Sequence, residues 1–409
     1  MTRGPVDRHD LLTILEAGLE AADGRRCVRE FLLDRRPQGP LTLIAVGKAS
    51  TAMTLGAVDV LGAALDGGYV VTPLGHGDEA LSAMPRFRTV PSSHPVPDQR
   101  SLEAGDGLLS FVSAMAPGTR VLVLISGGAS SLVESLPAGL DAGDLSRVNQ
   151  FLLGSGLDIF GVNGVRRRLS MLKDGRLAAA LRGHPVLALY LSDVEGDDPA
   201  WIGSGLLSRA KSALPSGLPD WLVTLIDSGP PPGLPTPPVE SHVVGNLARA
   251  LDGCEDRARR LGFPVTRHDE WLRGPVAGAA DRIVSEMDDG RAGIHLWGGE
   301  TTMILPAAPG RGGRNQHLAL CCATAIQGRD DLAVLCCATD GVDGNSEDAG
   351  GLVDGQSIRR GRDGGADPAD CLRRADSGTF LEAAGDLIFT GPTSTNVNDV
   401  VIGLKAVSG

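Results

Sequence analysis

Short apolar runs that end in glycine-rich polar loops recur along this chain, and that pairing constrains its fold more than any other feature. Four such loops lie toward the carboxyl end: Gly298-Gly299-Glu300-Thr301-Thr302, Gly310-Arg311-Gly312-Gly313-Arg314-Asn315-Gln316, Ala338-Thr339-Asp340-Gly341-Val342-Asp343-Gly344 and Gly391-Pro392-Thr393-Ser394-Thr395-Asn396-Val397-Asn398-Asp399. The first, third and fourth follow, or lie close to, apolar segments at 294–297, 332–337 and 387–389. Such segments read as buried parallel strands whose carboxyl ends open into loops. Open α/β sheets bind their ligands at those ends.

The first half repeats the pattern. An apolar run at 41–46 ends in Gly47-Lys48-Ala49-Ser50, one at 121–125 in Ser126-Gly127-Gly128-Ala129-Ser130-Ser131-Leu132, and one at 187–191 in Ser192-Asp193-Val194-Glu195-Gly196-Asp197-Asp198. Helical periodicity is predicted at 10–35, 51–65, 99–116, 246–261, 275–288 and 315–326. Strands alternating with helices make an α/β fold, with a layered and mostly parallel sheet in the first half. The stretch 228–238 holds six prolines in eleven residues and marks a domain boundary. The expected organisation is therefore a first domain at 1–227, a linker at 228–238 and a second α/β domain at 239–409. The last ~15 residues have the option of returning to the first domain.

A length of 409 residues supports two full hydrophobic cores. The net charge of −12 argues against a nucleic-acid partner and makes any arginine or lysine inside a motif informative. No apolar run reaches membrane-spanning length, so no membrane partner is expected. The seven cysteines are odd in number, lack metal-binding spacing and include adjacent pairs within apolar runs. They read as reduced core residues of a cytoplasmic protein. A homodimer is admitted, not dictated, by the sequence.

Several motifs can be weighed on their chemistry. Gly47-Lys48 is not a Walker loop, because Thr42 stands where its first glycine belongs and Ala49 follows the lysine. Spacing alone leaves Lys48 as either a surface lysine or a phosphate contact at the head of a helix. No strand–Gly-x-Gly-x-x-Gly–helix unit exists, which weighs against a dinucleotide-binding dehydrogenase. The loop Ser126, Gly127, Gly128, Ser130 lacks the Gly-x-Ser-x-Gly elbow and reads as an anion-binding nest. Asn163, Arg166, Ser170 and Lys173 are spaced to share one helical face, a cationic stripe that is either solvated or an anion contact. Two carboxylate clusters, one beginning at Asp193 and one holding Asp340 and Asp343, offer hard oxygen ligands that suit Mg²⁺. Arg311 and Arg314 flank a glycine pair and can present bidentate donors to phosphate or carboxylate. Gly299, Glu300, Thr301, Gly313, Asn315, Thr393, Asn396 and Asn398 complete the nucleotide- and phosphate-binding residues expected of the four loops.

These motifs, together with Ser92-Ser93-His94-Pro95-Val96-Pro97-Asp98 and Asn163-Gly164-Val165-Arg166-Arg167-Arg168-Leu169-Ser170, occur in the order found in one family. The chain resembles the class II glycerate 2-kinases, whose second half is a MOFRL module and whose members often carry the label hydroxypyruvate reductase. The resemblance implies a Rossmann-like first domain, a MOFRL-type second domain and an active site in the cleft between them. It implies ATP- and Mg²⁺-dependent phosphorylation of D-glycerate, or a closely related small hydroxy acid, at the 2-hydroxyl. By match to the family's motifs, Lys48, Asp193 and Arg314 would be catalytic. Asp193 would contact Mg²⁺ or accept the hydroxyl proton, with Asp340 or Asp343 as further metal contacts. The substrate carboxylate would meet Arg166, or Ser130 and the amides around it. Hydroxypyruvate reduction and a non-catalytic nucleotide- or sugar-acid-binding paralogue are the alternatives. The sequence departs from the family where His317 replaces a glutamate, Ala129 a glycine, and Gly203-Ser204-Gly205-Leu206-Leu207 an Ala-Ser-Gly-Pro-Thr step.

Overall fold

The computed structural model describes residues 7–157, 159–210, 213–230 and 236–406. They fall into two compact units, one spanning Gly24–Val244 and the other combining the described residues up to Asp23 with those from Gly245 onward. Residues 231–235 of the proline-rich stretch lie outside the described set.

The unit from Gly24 to Val244 is built on a six-stranded sheet. Its strands are β1 (Leu41–Val46), β2 (Leu65–Pro73), β3 (Phe87–Ser92), β4 (Val121–Ile125), β5 (Val186–Leu191) and β6 (Glu240–Gly245), in the order β3-β2-β1-β4-β5-β6. The β3–β2, β2–β1, β1–β4 and β4–β5 pairs are all parallel. Every residue of β4 is buried, and five of the six residues of β1 are. These near-continuous aliphatic runs are what a sheet covered on both faces requires. The chain moves outward from β1 in one direction and then from β4 in the other. The carboxyl ends of β1 and β4 therefore flank the crevice where doubly wound sheets hold ligands.

The second unit holds a seven-stranded sheet. Its strands are β7 (Val265–Arg267), β8 (Leu272–Pro275), β9 (Gly293–Thr302), β10 (Leu332–Ala338), β11 (Gly350–Asp354), β12 (Leu387–Ile388) and β13 (Asp399–Lys405). Here the expectation of parallel strands fails. β10 pairs antiparallel with β11 and β13, and β13 antiparallel with β9. Only β7 and β8 run parallel to β9. The last strand does not return to the first unit either: β13 sits between β9 and β10 in the second sheet. Gly298 to Thr302 is not a loop but the end of β9, because β8 on one side and the start of β13 on the other satisfy its backbone.

The predicted helix at 10–35 is two helices, Arg8–Ala21 and Gly24–Asp34. The break has a packing reason. Gly18 of the first helix packs on Cys254 and Ala250 of the helix Leu247–Arg260, and Gly253 of that helix packs on Ala17 and Ala21, so closely that a Cβ on Gly253 would lie 2.6 Å from the Ala17 carbonyl oxygen. Arg8 pairs with Asp354 at 2.8 Å and Asp386 at 2.9 Å. The second helix turns away to the first sheet's unit, where Arg25 pairs with Asp59 at 2.7 Å. The first domain thus does not begin at residue 1. All seven cysteines are free thiols, and six of them are buried, as core residues should be. Among the described residues no helix is long and apolar enough to cross a membrane.

Candidate functional site

In the first unit, β1 ends at Val46 and the chain turns at Gly47, whose φ of +138° favours glycine. Two hydrogen bonds tie this turn to the end of β4: Lys48 N–H donates to the Gly127 carbonyl at 2.9 Å, and Ala49 N–H donates to Ser126 Oγ at 3.0 Å. Ser126 is fully buried, so Ser126 and Gly127 shape the turn instead of facing a ligand. Gly128 and Ser130 are partly exposed. A Cβ on Gly128 would lie 3.0 Å from the His94 ring and 3.2 Å from Lys48 Cγ, so these three residues form one corner. The helix Ser50–Leu61 starts here with no side chain capping its amino end. The Ser50 amide is taken by the Gly47 carbonyl at 3.2 Å, so the following first-turn amides and the Lys48 ammonium make a positive locus at the sheet's switch point. Asp193, partly exposed, follows β5, the strand next to β4.

The cationic stripe is not one helical face. The helix Ile159–Leu169 stops before Ser170. Ser170 Oγ instead accepts from the amides of Leu172 at 3.2 Å and Lys173 at 3.1 Å, closing a turn. Lys173 is buried against Glu134, whose Oε1 accepts from the Ser135 amide at 3.0 Å. Burial lowers the Lys173 pKa, and Glu134 opposes that shift. Arg166 is partly exposed and donates to Asn149 Oδ1 at 3.2 Å. Burial lowers its pKa too, against the attraction of Glu134. A held guanidinium on a partly open surface is suited to a carboxylate.

In the second unit β13 runs antiparallel between β9 and β10, so its amino end meets their carboxyl ends. Asp399 is the register partner of Gly299 on one side and Ala338 on the other. The end of β9, the loop after β10 and the loop before β13 thereby meet at one end of the sheet, through antiparallel pairing where the sequence predicts parallel strands. Thr339 knots two of them: its Oγ donates to the Asn398 carbonyl at 2.6 Å and accepts from the Val397 amide at 2.9 Å. Thr393 Oγ donates to the Thr339 carbonyl.

The remaining loop, ahead of the helix Arg314–Ala325, joins through carboxylates. Asp343 is 3 % exposed and accepts from the amides of Asn315 at 3.1 Å and Gln316 at 2.7 Å. It caps that helix from across the fold, and burial raises its pKa despite those bonds. Asp343 is therefore committed to structure, unlike the metal ligand expected from sequence. Arg311 likewise turns away, donating to the Gly378 carbonyl and Glu382, both at 2.9 Å. The loop's amides are also engaged: Arg311 N–H by Asp376 at 2.9 Å and Gly312 N–H by Asn345 at 2.8 Å. Gly313 is needed where Asp343 approaches, since a Cβ there would lie 2.5 Å from the carboxyl carbon. Gly299 and Thr301 are locked in β9, and Asn315 and Asn396 are buried.

Arg314 is the exception. It bonds Glu300 and lies 3.7 Å from Asp399. Burial works against its charge, yet Asp399 and Glu300 raise its pKa, so it stays cationic. Asp399 is 7 % exposed, and burial pushes its pKa up to about 7 despite Arg314. Asp340 is partly exposed and caps its own turn, accepting from the Val342 amide at 3.1 Å. Among the described residues no cluster of three His, Cys, Asp or Glu is placed to hold a metal. A Mg²⁺ site made of one or two carboxylates and substrate phosphates needs no such cluster. His317 accepts or donates one hydrogen bond, Nδ1 to Ser377 Oγ at 2.9 Å, and burial lowers its pKa.

Sequence reasoning missed Asp399, Ser204 and the Glu134–Lys173 pair. Asp399 ends one quoted motif, and Ser204 lies inside another that is quoted only as a departure from the family. Only the strand order and the turn geometry single them out.

A doubly wound sheet with a cationic, glycine-lined switch point, and a second sheet gathering polar loops around one arginine, define a two-unit α/β protein that handles a small anionic ligand. Residues 10–216 match a domain of unknown function, DUF4147, and residues 293–399 match the MOFRL family. A D-glycerate 2-kinase of Thermotoga maritima is 34 % identical over 96 % of this chain and 97 % of its own. An Agrobacterium vitis protein that bears a provisional hydroxypyruvate reductase name is 35 % identical over 96 % and 93 %. A crystal structure of glycerate kinase from Thermotoga maritima superposes with a TM-score of 0.84 at 32 % identity, covering 97 % of this chain and 99 % of that one. The chain belongs to the class II glycerate kinase family, which joins a DUF4147 domain to a MOFRL domain.

Proposed function

We infer that this chain is an ATP-dependent glycerate 2-kinase that phosphorylates the 2-hydroxyl of D-glycerate or of a close hydroxy acid. The observation that carries the reading is Lys48, placed beside an uncapped helix head at the switch point of the β3-β2-β1-β4-β5-β6 sheet. Phosphoryl transfer asks for positioning and charge neutralisation more than for covalent chemistry. Lys48 and the first-turn amides of the helix Ser50–Leu61 supply fixed positive potential for phosphoryl oxygens. Arg314, kept cationic by Asp399 and Glu300, supplies a second charge. Arg166 takes the substrate carboxylate. Mg²⁺, when bound through Asp193 or Asp340, neutralises charge on the phosphate oxygens.

Two roles are open to Asp193: metal contact, or acceptor of the hydroxyl proton. Asp193→Asn separates them, because a lost metal contact raises the Mg²⁺ requirement while a lost base lowers kcat and removes the acid limb of its pH profile. The localisation is cytoplasmic in this reading, and a homodimer is its oligomer to test by light scattering.

ADP release with D-glycerate, and the position of the new phosphate by ³¹P NMR, test the activity directly. Folded protein that turns over no hydroxy acid would sink the kinase reading. The strand order is also that of dinucleotide-binding sheets, so NADH oxidation with hydroxypyruvate is the competing assay. The turn after β1, Gly47-Lys48-Ala49, lacks the fingerprint such a site needs, and no oxidation is expected.

A further inference from the structure

Beyond β5, the backbone at Gly203, Ser204 and Gly205 adopts φ of +58°, +58° and +73° in succession. Two glycines suit that path. The serine between them is held in a conformation that side chains avoid. Buried cations hold it there. The Arg167 guanidinium donates to the Ser204 carbonyl at 3.2 Å and the Ala200 carbonyl at 2.8 Å, and lies 4.3 Å from the centre of the Trp201 ring. Arg176 donates in turn to the Arg167 carbonyl at 2.8 Å.

What this scaffold keeps in place is a chain of hydroxyls. Ser204 Oγ donates to Asn163 Oδ1 at 3.2 Å and lies 2.8 Å from Ser130 Oγ. A hydroxyl has one proton to give. Ser204 gives its proton to Asn163, so Ser130 donates to Ser204 and keeps its own lone pairs to accept a further bond. Ser204 is buried, whereas Ser130 is partly exposed, two residues from the Gly128 corner shared with Lys48 and His94. The reachable end of the chain is an acceptor.

We propose that the Ser130–Ser204–Asn163 chain reads a hydroxyl of the substrate, and that Ser204 is the positioning residue that sets this polarity. The proposal rests on the kinase reading and narrows it. The carboxylate goes to Arg166 and not to Ser130, and the substrate class is a small acid with a second, non-reacting hydroxyl. A site built to bond a hydroxyl rejects the analogue that lacks it far more strongly than an apolar pocket can.

Calorimetric binding of D-glycerate and D-lactate to the full chain without nucleotide tests this. Wild type should prefer D-glycerate by at least about tenfold. Ser204→Gly suits the turn's backbone, so its Tm should rise, yet the preference should fall by about tenfold or more. Asn163→Asp, which can only accept, should weaken both acids through its charge but keep the preference, and Asn163→Leu should lose it. The proposal is overturned if wild type shows no preference, if Ser204→Gly keeps it, or if Asn163→Asp abolishes it. ATP turnover on the same samples separates the two readings. Preference without turnover refutes the kinase and leaves the hydroxyl reader, and turnover without preference does the reverse.

Discussion

Gly47→Ala should lower turnover without unfolding the protein. A Cβ at Gly47 would lie 2.7 Å from the Ser126 carbonyl oxygen and 2.9 Å from its carbon, where ordinary contact begins at 3.4 Å. Both atoms are backbone and cannot swing aside. The Ser126 amide is itself bonded to the Val46 carbonyl at 3.0 Å, so the ends of β1 and β4 must part together. The shortfall against these backbone atoms is roughly 0.5–0.7 Å in a close-packed interior, and Ser126 Oγ, closer still to the same Cβ, must also turn aside from the Ala49 amide. Overpacking, with alanine forced to a φ of +138°, should cost about 1–3 kcal/mol in stability. The same displacement moves Lys48 and opens its bond to Gly127. Misplacement of a reacting group by this much costs on the order of 10- to 100-fold in kcat. Steady-state ADP formation with D-glycerate, alongside thermal melts, gives both quantities. Gly77→Ala is the control, with nothing within 4 Å of its Cβ, and should stay within about 0.5 kcal/mol of wild type. A folded Gly47→Ala protein with wild-type kcat would show that the β1–β4 junction does not place Lys48 for the reaction.

Three further outcomes follow from the same geometry. Lys173→Met leaves Glu134 buried and unpaired and should destabilise by about 3–5 kcal/mol, whereas Lys173→Met with Glu134→Leu should recover most of it; urea unfolding of the three variants reads the coupling. His317 has a pKa lowered by burial, so the unfolded chain takes up its proton first. Its contribution to stability is complete above pH 6.5 and is lost as pH falls below that value; Tm between pH 5 and 8 should fall more steeply for wild type than for His317→Gln. Arg314→Lys keeps a charge but not the fork between Glu300 and Asp399, and should lower kcat by about 100-fold with Tm nearly unchanged; near-wild-type kcat would remove Arg314 from the reaction.

The amino-acid sequence by itself determined the central strands of the first sheet, because aliphatic runs such as 41–46 and 121–125 have no stable place except a sheet covered on both faces, whereas β6 at Glu240–Gly245 falls where the sequence reads a second domain. It also marked Lys48, Asp193 and Arg314 as candidates, each by a strand end or a glycine turn. Tertiary structure alone decided what those motifs do. Asp340 and Asp343 look alike in sequence, yet the second is used up capping a helix from across the fold and the first is partly exposed. Arg311 and Arg314 look like a pair, but the chain turns one to Glu382 and sets the other between Glu300 and Asp399. Residue spacing carries the local periodicity of helix and strand. Strand order, the antiparallel insertion of β13 and the left-handed turn at Ser204 depend on contacts between residues far apart in the chain, and no local pattern encodes them.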